Sequence, residues 1–246
     1  MPRAVGRAVS QAVSQAVTAA VERGIASAGI AAVRALDRDV VGQAHHPQGA
    51  AGSMTGWVFA HRPSNRQRNG WVVSLLDAQP TERVLEIGFG PGLAIAELAR
   101  AGAGHVYGID HSDVMLRQAS RRNAAAVRAG RVTLINASAD QLPAALDGPF
   151  DAILAVNSLG FWPAPAERLA ELRRRLAPGG RIAIASQPRC PGATAGTSRS
   201  AAEEVENLLR SAGFTRMSTE TLPLNPPVIC VLATAPDPDA HHTPRI

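Results

Sequence analysis

Glu86, Gly88, Gly90 and Gly92 stand in the stretch VLEIGFGPG, residues 84–92. Val84 to Ile87 suit a buried strand, and the glycines form a turn that should open a helix. Glycine has no Cβ and reaches backbone angles closed to other residues, so backbone N–H groups in such a turn lie close to a ligand. Many nucleotide-type cofactors are held by that device. A further acid, Asp110, ends the next apolar run in YGIDHS. A carboxylate there can accept from both hydroxyls of a ribose. The dinucleotide fingerprint G-x-G-x-x-G wants glycine where Leu93 stands, and the pattern here is E-x-G-x-G-x-G. Glycine spacing alone leaves either cofactor class open.

Alternating elements position these residues. A helix fits 64–77, with Ser64 as N-cap and Trp71, Val72, Leu75 and Leu76 as its apolar face. Strand 83–87 leads to helix 91–101, with Pro91 in its first turn, and strand 105–109 to a helix over 112–129 capped by Ser112. Strand 131–135 precedes a short turn or helix near 140–146, and strand 150–156 precedes helix 164–176, which Pro178-Gly179-Gly180 ends. Strand 181–186, a loose segment 187–199, helix 201–212 and strands near 214–222 and 227–234 complete the order. This alternation predicts an α/β fold, a doubly wound parallel sheet. The last two strands are joined by too few residues for a parallel crossover, so they should pair as an antiparallel hairpin.

Composition narrows the chemistry. All 25 basic residues are Arg and there is no Lys, which excludes a Lys base or Schiff base. The net charge of +5 comes from Arg residues spread along the chain, so the basic balance does not by itself indicate nucleic acid. Cys190 and Cys230 are the two cysteines and no CxxC or Cys/His cluster occurs, so neither a metal site nor a disulfide scaffold is expected. No apolar run approaches the ~20 residues that span a bilayer, which points to the cytoplasm. Toward the N-terminus Val5, Val9, Val13, Val17, Val21 and Ile25 recur every fourth residue. Each step of four drifts about 40° round a helix, so the stripe winds instead of holding one face. It reads as a marginal helical extension in preference to a membrane-surface helix.

Further motifs occur in order along the chain. YGIDHSDVML contains Asp110 and His111, NASADQLP contains Asp140 and Gln141, FDAILAVNSLGFW contains Asn157, and ELRRRLAPGGRIAIA completes the set. With VLEIGFGPG these stretches resemble the class I S-adenosylmethionine-dependent methyltransferases over about residues 80–235. The resemblance implies a Rossmann-like, seven-stranded sheet, mostly parallel with one antiparallel terminal strand, plus the helical N-terminal extension. It implies S-adenosyl-L-methionine as cofactor, held by Glu86, Gly88, Phe89, Gly90, Gly92, Asp110, His111, Asp140, Gln141 and Asn157. Asp110 would meet the ribose and His111 the adenine. Asp140 would face the adenine amino group, Gln141 would flank the ring, and Asn157 would line the methionine end. This cofactor has no phosphate, so the glycines would let the backbone lie flat against methionine and ribose.

The implied domains are a helical extension over 1–42, a lid loop and helix over 43–79, a cofactor domain over 80–235 and a disordered tail over 236–246. The implied function is methyl transfer to a small-molecule acceptor of lipid, quinone or secondary-metabolite class, by in-line displacement. The alternatives are a non-catalytic interaction protein on the same fold and an NAD-type oxidoreductase. No catalytic pair declares itself, and His46, with His45, is the candidate base on a loop ahead of the cofactor domain. Trp57, Phe59, Phe161 and Trp162 are candidates to wall an apolar acceptor pocket. NPPV, 225–228, stands before the last strand and ends in Val228, so it is not the amino-methylating motif of nucleic-acid enzymes. Partners are thus a small molecule and no nucleic acid. The acceptor atom and the oligomeric state carry no readable signal.

Overall fold

The computed structural model describes residues 63–188, 190 and 192–237. The Val stripe, the 1–42 extension, His45, His46, Trp57, Phe59 and the final residues of the tail lie outside them. Helix α1 (Pro63–Leu76) comes first, followed by β1 (Arg83–Ile87), α2 (Leu93–Ala101), β2 (His105–Asp110), α3 (Asp113–Arg122), α4 (Ala124–Arg128) and β3 (Val132–Asn136). Then come β4 (Phe150–Val156), α5 (Pro165–Arg175), β5 (Leu176–Ser186), α6 (Ala195–Ser211), β6 (Thr215–Leu222) and β7 (Val228–Thr234), with single 3-10 turns at Ala144–Leu146 and Leu159–Phe161.

The seven strands form one sheet in the order β3-β2-β1-β4-β5-β7-β6. Pairs among β1 to β5 are parallel, and β7 runs antiparallel to both β5 and β6. The antiparallel strand is last in the chain yet sits inside the sheet, and β6 forms the edge. The strand order reverses between β1 and β4, so the crevice at their carboxyl ends is the topological switch point where ligands bind in open α/β sheets. Side chains of each strand alternate between two cores. Val84, Val106, Ala152 and Leu154 join α1, α2 and α3 on one face. Leu85, Ile109, Ile153 and Ile184 join α5 and α6 on the other.

Local chemistry moved several boundaries. Helix α1 begins at Pro63, which places Ser64 inside the first turn and not at the cap. Helix α2 begins at Leu93, because Gly92 precedes it in the left-handed region and leaves Pro91 in the turn. The predicted single helix 112–129 is two, since Asn123 turns its amide onto the Ala119 and Gly92 carbonyls and interrupts the ladder. Ser112 does cap α3, accepting from the Met115 N–H. Helix α5 ends at Arg175, before Pro178-Gly179-Gly180, which lie within the irregular start of β5. Helix α6 starts at Ala195, not 201, because Thr194 and Thr197 form reciprocal caps upstream of its apolar stripe. Ser198 then anchors that added turn by donating to the Pro227 carbonyl at 2.8 Å.

Candidate active site

The site is built where β1, β2, β4 and β5 end. Gly88 and Phe89 both donate to the Ile109 carbonyl, at 2.8 and 3.2 Å, which folds the turn back over β2. At Gly88 φ is +77°, and an added Cβ would lie 2.5 Å from the Ser158 Cβ. Ser158 is there because its hydroxyl donates to the Ile87 carbonyl at 2.6 Å, locking the ends of β1 and β4 together. Gly90 differs: its φ is +51°, but a Cβ there would meet nothing within 4 Å. The glycine turn is thus closed on the protein side at Gly88 and open at Gly90. Phe89 contributes its backbone, for its ring is buried in the core against Gly108.

Two carboxylates occupy the sheet face beneath the turn. Asp110 accepts from Gly90 N at 2.8 Å through Oδ2 and from Ser112 N at 2.9 Å through Oδ1. Glu86 is buried in the strand itself, at a position whose alternation calls for an apolar side chain. The Ile95 backbone N–H in the first turn of α2 reaches its carboxylate, while its Oε2 has no hydrogen-bond partner among the described residues. Burial raises the Glu86 carboxyl to about 8, and the nearby charge of Asp110 adds to the shift. Burial also raises Asp110, against the opposing pull of its Ser112 and Gly90 bonds. An orphaned buried oxygen of this kind invites a cationic partner.

The remaining predicted residues divide. His111 follows Asp110 as an exposed residue, with Nδ1 3.9 Å from Asp110 Oδ1. Asp140 and Gln141 are exposed on the loop after β3. The Ser138 hydroxyl holds the Asp140 carboxyl below the usual carboxylate range. Asn157 ends β4 at φ +54°, with its N–H donating to the Ala185 carbonyl at 2.8 Å. Of the two described pocket aromatics, Phe161 is exposed, while Trp162 packs into the core and cannot wall a pocket.

The sequence alone did not single out three residues joined to Asn157 directly or through one another. Gln187 donates its backbone N–H to Asn157 Oδ1 at 2.7 Å and its side-chain Nε2 to the Pro226 carbonyl at 2.9 Å. Arg68, buried in α1, donates from Nη1 to Gln187 Oε1 at 2.8 Å. Ser158 is the third. Only a cation in the middle of a helix facing the sheet could have flagged Arg68, and its spacing within α1 does not separate it from Arg66.

A switch-point crevice bearing a glycine turn and an acid at the end of each of β1 and β2 defines a Rossmann-like nucleotide-cofactor enzyme. Likeness to known proteins makes that class particular. Residues 84–180 match the model of a methyltransferase domain family. Over 187 residues the chain is 31% identical to the uncharacterized methyltransferase YdaC of Bacillus subtilis (strain 168), covering 75% of this chain and 98% of YdaC. It is 41% identical over 103 residues to the demethylmenaquinone methyltransferase of Clavibacter sepedonicus, covering 42% of this chain and 40% of that one. The chain spans 32% and 58% of the length of two further curated relatives. The fold is similar to the crystal structure of a SAM-dependent methyltransferase from Aquifex aeolicus, with TM-score 0.58 and 22% identity over 71% of this chain and 94% of that one. The chain belongs to the class I S-adenosylmethionine-dependent methyltransferases, and its methyl donor is S-adenosylmethionine. The dinucleotide and non-catalytic alternatives give way to that assignment.

The residues present fit this cofactor. Its ammonium suits the orphaned oxygen of Glu86, and the open space at Gly90 leaves room for it against the turn. Each oxygen of Asp110 already accepts one N–H and keeps a second lone pair for a hydroxyl. Among the described residues no helix is long and apolar enough to cross a membrane.

Proposed function

We propose that the enzyme methylates a small-molecule acceptor of lipid, quinone or secondary-metabolite class. The observation that carries the reading is the asymmetric mouth: two buried acids below the glycine turn, and the exposed ring of Phe161 beyond the end of β4. An exposed aromatic beside a polar floor suits a flat, largely apolar acceptor. The 103-residue likeness to a demethylmenaquinone methyltransferase supports a quinone-type ring within that class.

In this reading Glu86 holds the cofactor's ammonium, and Gly88, Phe89, Gly90 and Gly92 lay their backbone along its methionine and ribose. Asp110 takes the ribose hydroxyls, His111 and Gln141 flank the adenine, Asp140 faces its amino group and Asn157 borders the methionine end. When bound, S-adenosylmethionine supplies a methyl group already activated on a sulfonium. The protein then aligns the nucleophile and excludes water. His46, the candidate base from the sequence, lies outside the described residues. Residues 80–235 form the cofactor domain. Cys190 and Cys230 are free thiols, which supports a reducing, cytoplasmic setting.

An extract of small metabolites incubated with methyl-labelled S-adenosylmethionine tests this directly. A labelled low-molecular-weight product is expected. Label transferred only to protein or nucleic acid would sink the proposal.

A further inference from the structure

Folding sorts by sheet face the charges that are scattered along the sequence. The helices on one face, α1 to α4, carry seven Arg against two acids, Glu97 and Asp113. Those on the other, α5 and α6, carry six Arg against five Glu. The second layer neutralises itself: Glu171 pairs with both Arg168 and Arg175, and Arg175 also pairs with Asp147. In the first layer Glu97 is taken by Arg100, and Asp113 accepts from Asn136 Nδ2 at 2.7 Å. Arg117, Arg121 and Arg128 are exposed and form no ion pair or hydrogen bond with any described residue.

These cations share one surface. Arg117 and Arg121 stand one turn apart on α3, outside the stripe of buried Val114, Met115 and Ala119. Arg122 Nε donates to the Pro91 carbonyl ahead of α2 at 2.8 Å, and Arg131 Nη1 to the Ala99 carbonyl in its last turn at 3.1 Å, so two guanidiniums bracket α2. Burial and the charge of Arg66 on α1 lower the pKa of Arg122, which places a further cation on the Pro91 side. Val127 is 38% exposed and lies among them on α4, with exposed Ala125 and Ala129 on either side in sequence. Like charges without acids between them repel one another and gain most from a polyanion. Single-stranded nucleic acid is gripped by aromatic platforms, and α2, α3 and α4 contain no aromatic residue. A lipid surface asks instead for guanidiniums on phosphodiesters and for apolar groups that enter the headgroup layer. We propose that the face built by α2, α3 and α4 docks the enzyme onto an anionic lipid surface, with Arg117, Arg121, Arg122, Arg128 and Arg131 on headgroup phosphates and Val127 among them. Arg122 lies against Pro91, so docking sets the glycine turn beside the bilayer. This docking does not depend on which small molecule is methylated.

The test sediments the full chain with extruded vesicles, made either of phosphatidylcholine alone or of phosphatidylcholine and phosphatidylglycerol in equal parts. Binding to the mixed vesicles is expected, weakening as salt rises, with none to phosphatidylcholine alone. A variant carrying Arg117→Gln, Arg121→Gln and Arg128→Gln is expected to lose about tenfold or more in affinity for the mixed vesicles. Its melting temperature and S-adenosylhomocysteine affinity should match the wild type, since no described residue is bonded to these three side chains. A second variant, with Arg174→Gln, Arg199→Gln and Arg210→Gln, removes the same charge from the α5 and α6 layer and should keep vesicle affinity within about twofold. Unchanged vesicle binding in the first variant, or equal losses in the two, would overturn the proposal. So would a wild type that binds neither vesicle, or one that binds a single-stranded or duplex oligonucleotide more tightly than the mixed vesicles.

Discussion

Gly90 donates its backbone N–H to Asp110 Oδ2 at 2.8 Å, so the acid that ends β2 holds the middle of the glycine turn that follows β1. One carboxylate thereby shapes the turn and remains able to accept from a ligand. Asp110→Asn keeps the size but converts one oxygen into a donor that opposes either the Gly90 or the Ser112 N–H. S-adenosylhomocysteine affinity, read by calorimetry, is expected to fall by about tenfold or more. Unchanged affinity would remove Asp110 from the site.

The glycines at 88 and 90 separate folding from binding. Gly88→Ala places a methyl 2.5 Å from the Ser158 Cβ at a positive φ, and a loss of about 2–4 kcal/mol in chemical denaturation is expected. Gly90→Ala carries the left-handed strain alone, about 1 kcal/mol. Its methyl would enter the open space, so S-adenosylhomocysteine binding should be lost while the fold is kept. Retained binding in Gly90→Ala would place the cofactor elsewhere.

Glu86 links the site to pH. Its carboxyl stands at about 8 in the fold, above the unfolded value of 4.5, so the folded chain holds more protons between those values. The resulting stability is fully present below the unfolded pKa and is lost as pH rises through the folded one. The melting temperature of the ligand-free protein should fall as pH rises from about 5 to 8, and Glu86→Gln should flatten that slope. A bound ammonium favours the charged carboxylate, so S-adenosylhomocysteine should bind with proton release, measurable by calorimetry in buffers of differing ionisation enthalpy. Equal slopes in the wild type and Glu86→Gln would contradict the assignment.

Arg181 joins α1 to the start of the cofactor sheet at the end away from the site. It donates to both oxygens of Glu82, at 2.9 and 2.7 Å, and to the carbonyls of Leu76 and Asp77 at 2.5 and 2.8 Å. The pair holds the Glu82 carboxyl below its usual range. Arg181→Met leaves the helix-end carbonyls without their donor and is expected to cost about 2–3 kcal/mol of stability. S-adenosylhomocysteine affinity at low temperature should not change. A variant as stable as the wild type would show that the network is merely solvated.

Much of the fold was legible because its signals are local. The runs Val84–Ile87 and Phe150–Val156 read as strands without context, and the short link before Val228 requires an antiparallel pair. The missed boundaries had causes outside the local pattern. Asn123 breaks a helix by reaching Gly92, 31 residues away. Thr194 begins α6 before any apolar period appears, and Trp162 is a core residue although its flanking sequence matches that of exposed Phe161.

The spacing E-x-G-x-G-x-G and Asp110 leave the cofactor class open, and the methyl donor is implied only by the resemblance that the further motifs around Asp140, Asn157 and Pro178-Gly179-Gly180 complete. Turn geometry and strand ends are dictated by sterics between near neighbours, and those travel with the residue types. The hydrogen-bonded network of Asn157, Gln187 and Arg68 belongs to the tertiary structure. Asn157 and Gln187 are 30 residues apart, and Arg68 and Gln187 are 119 apart. Amides have two ends of opposite character, and only the packing of α1 and the β6–β7 turn against β5 decides which end each one shows.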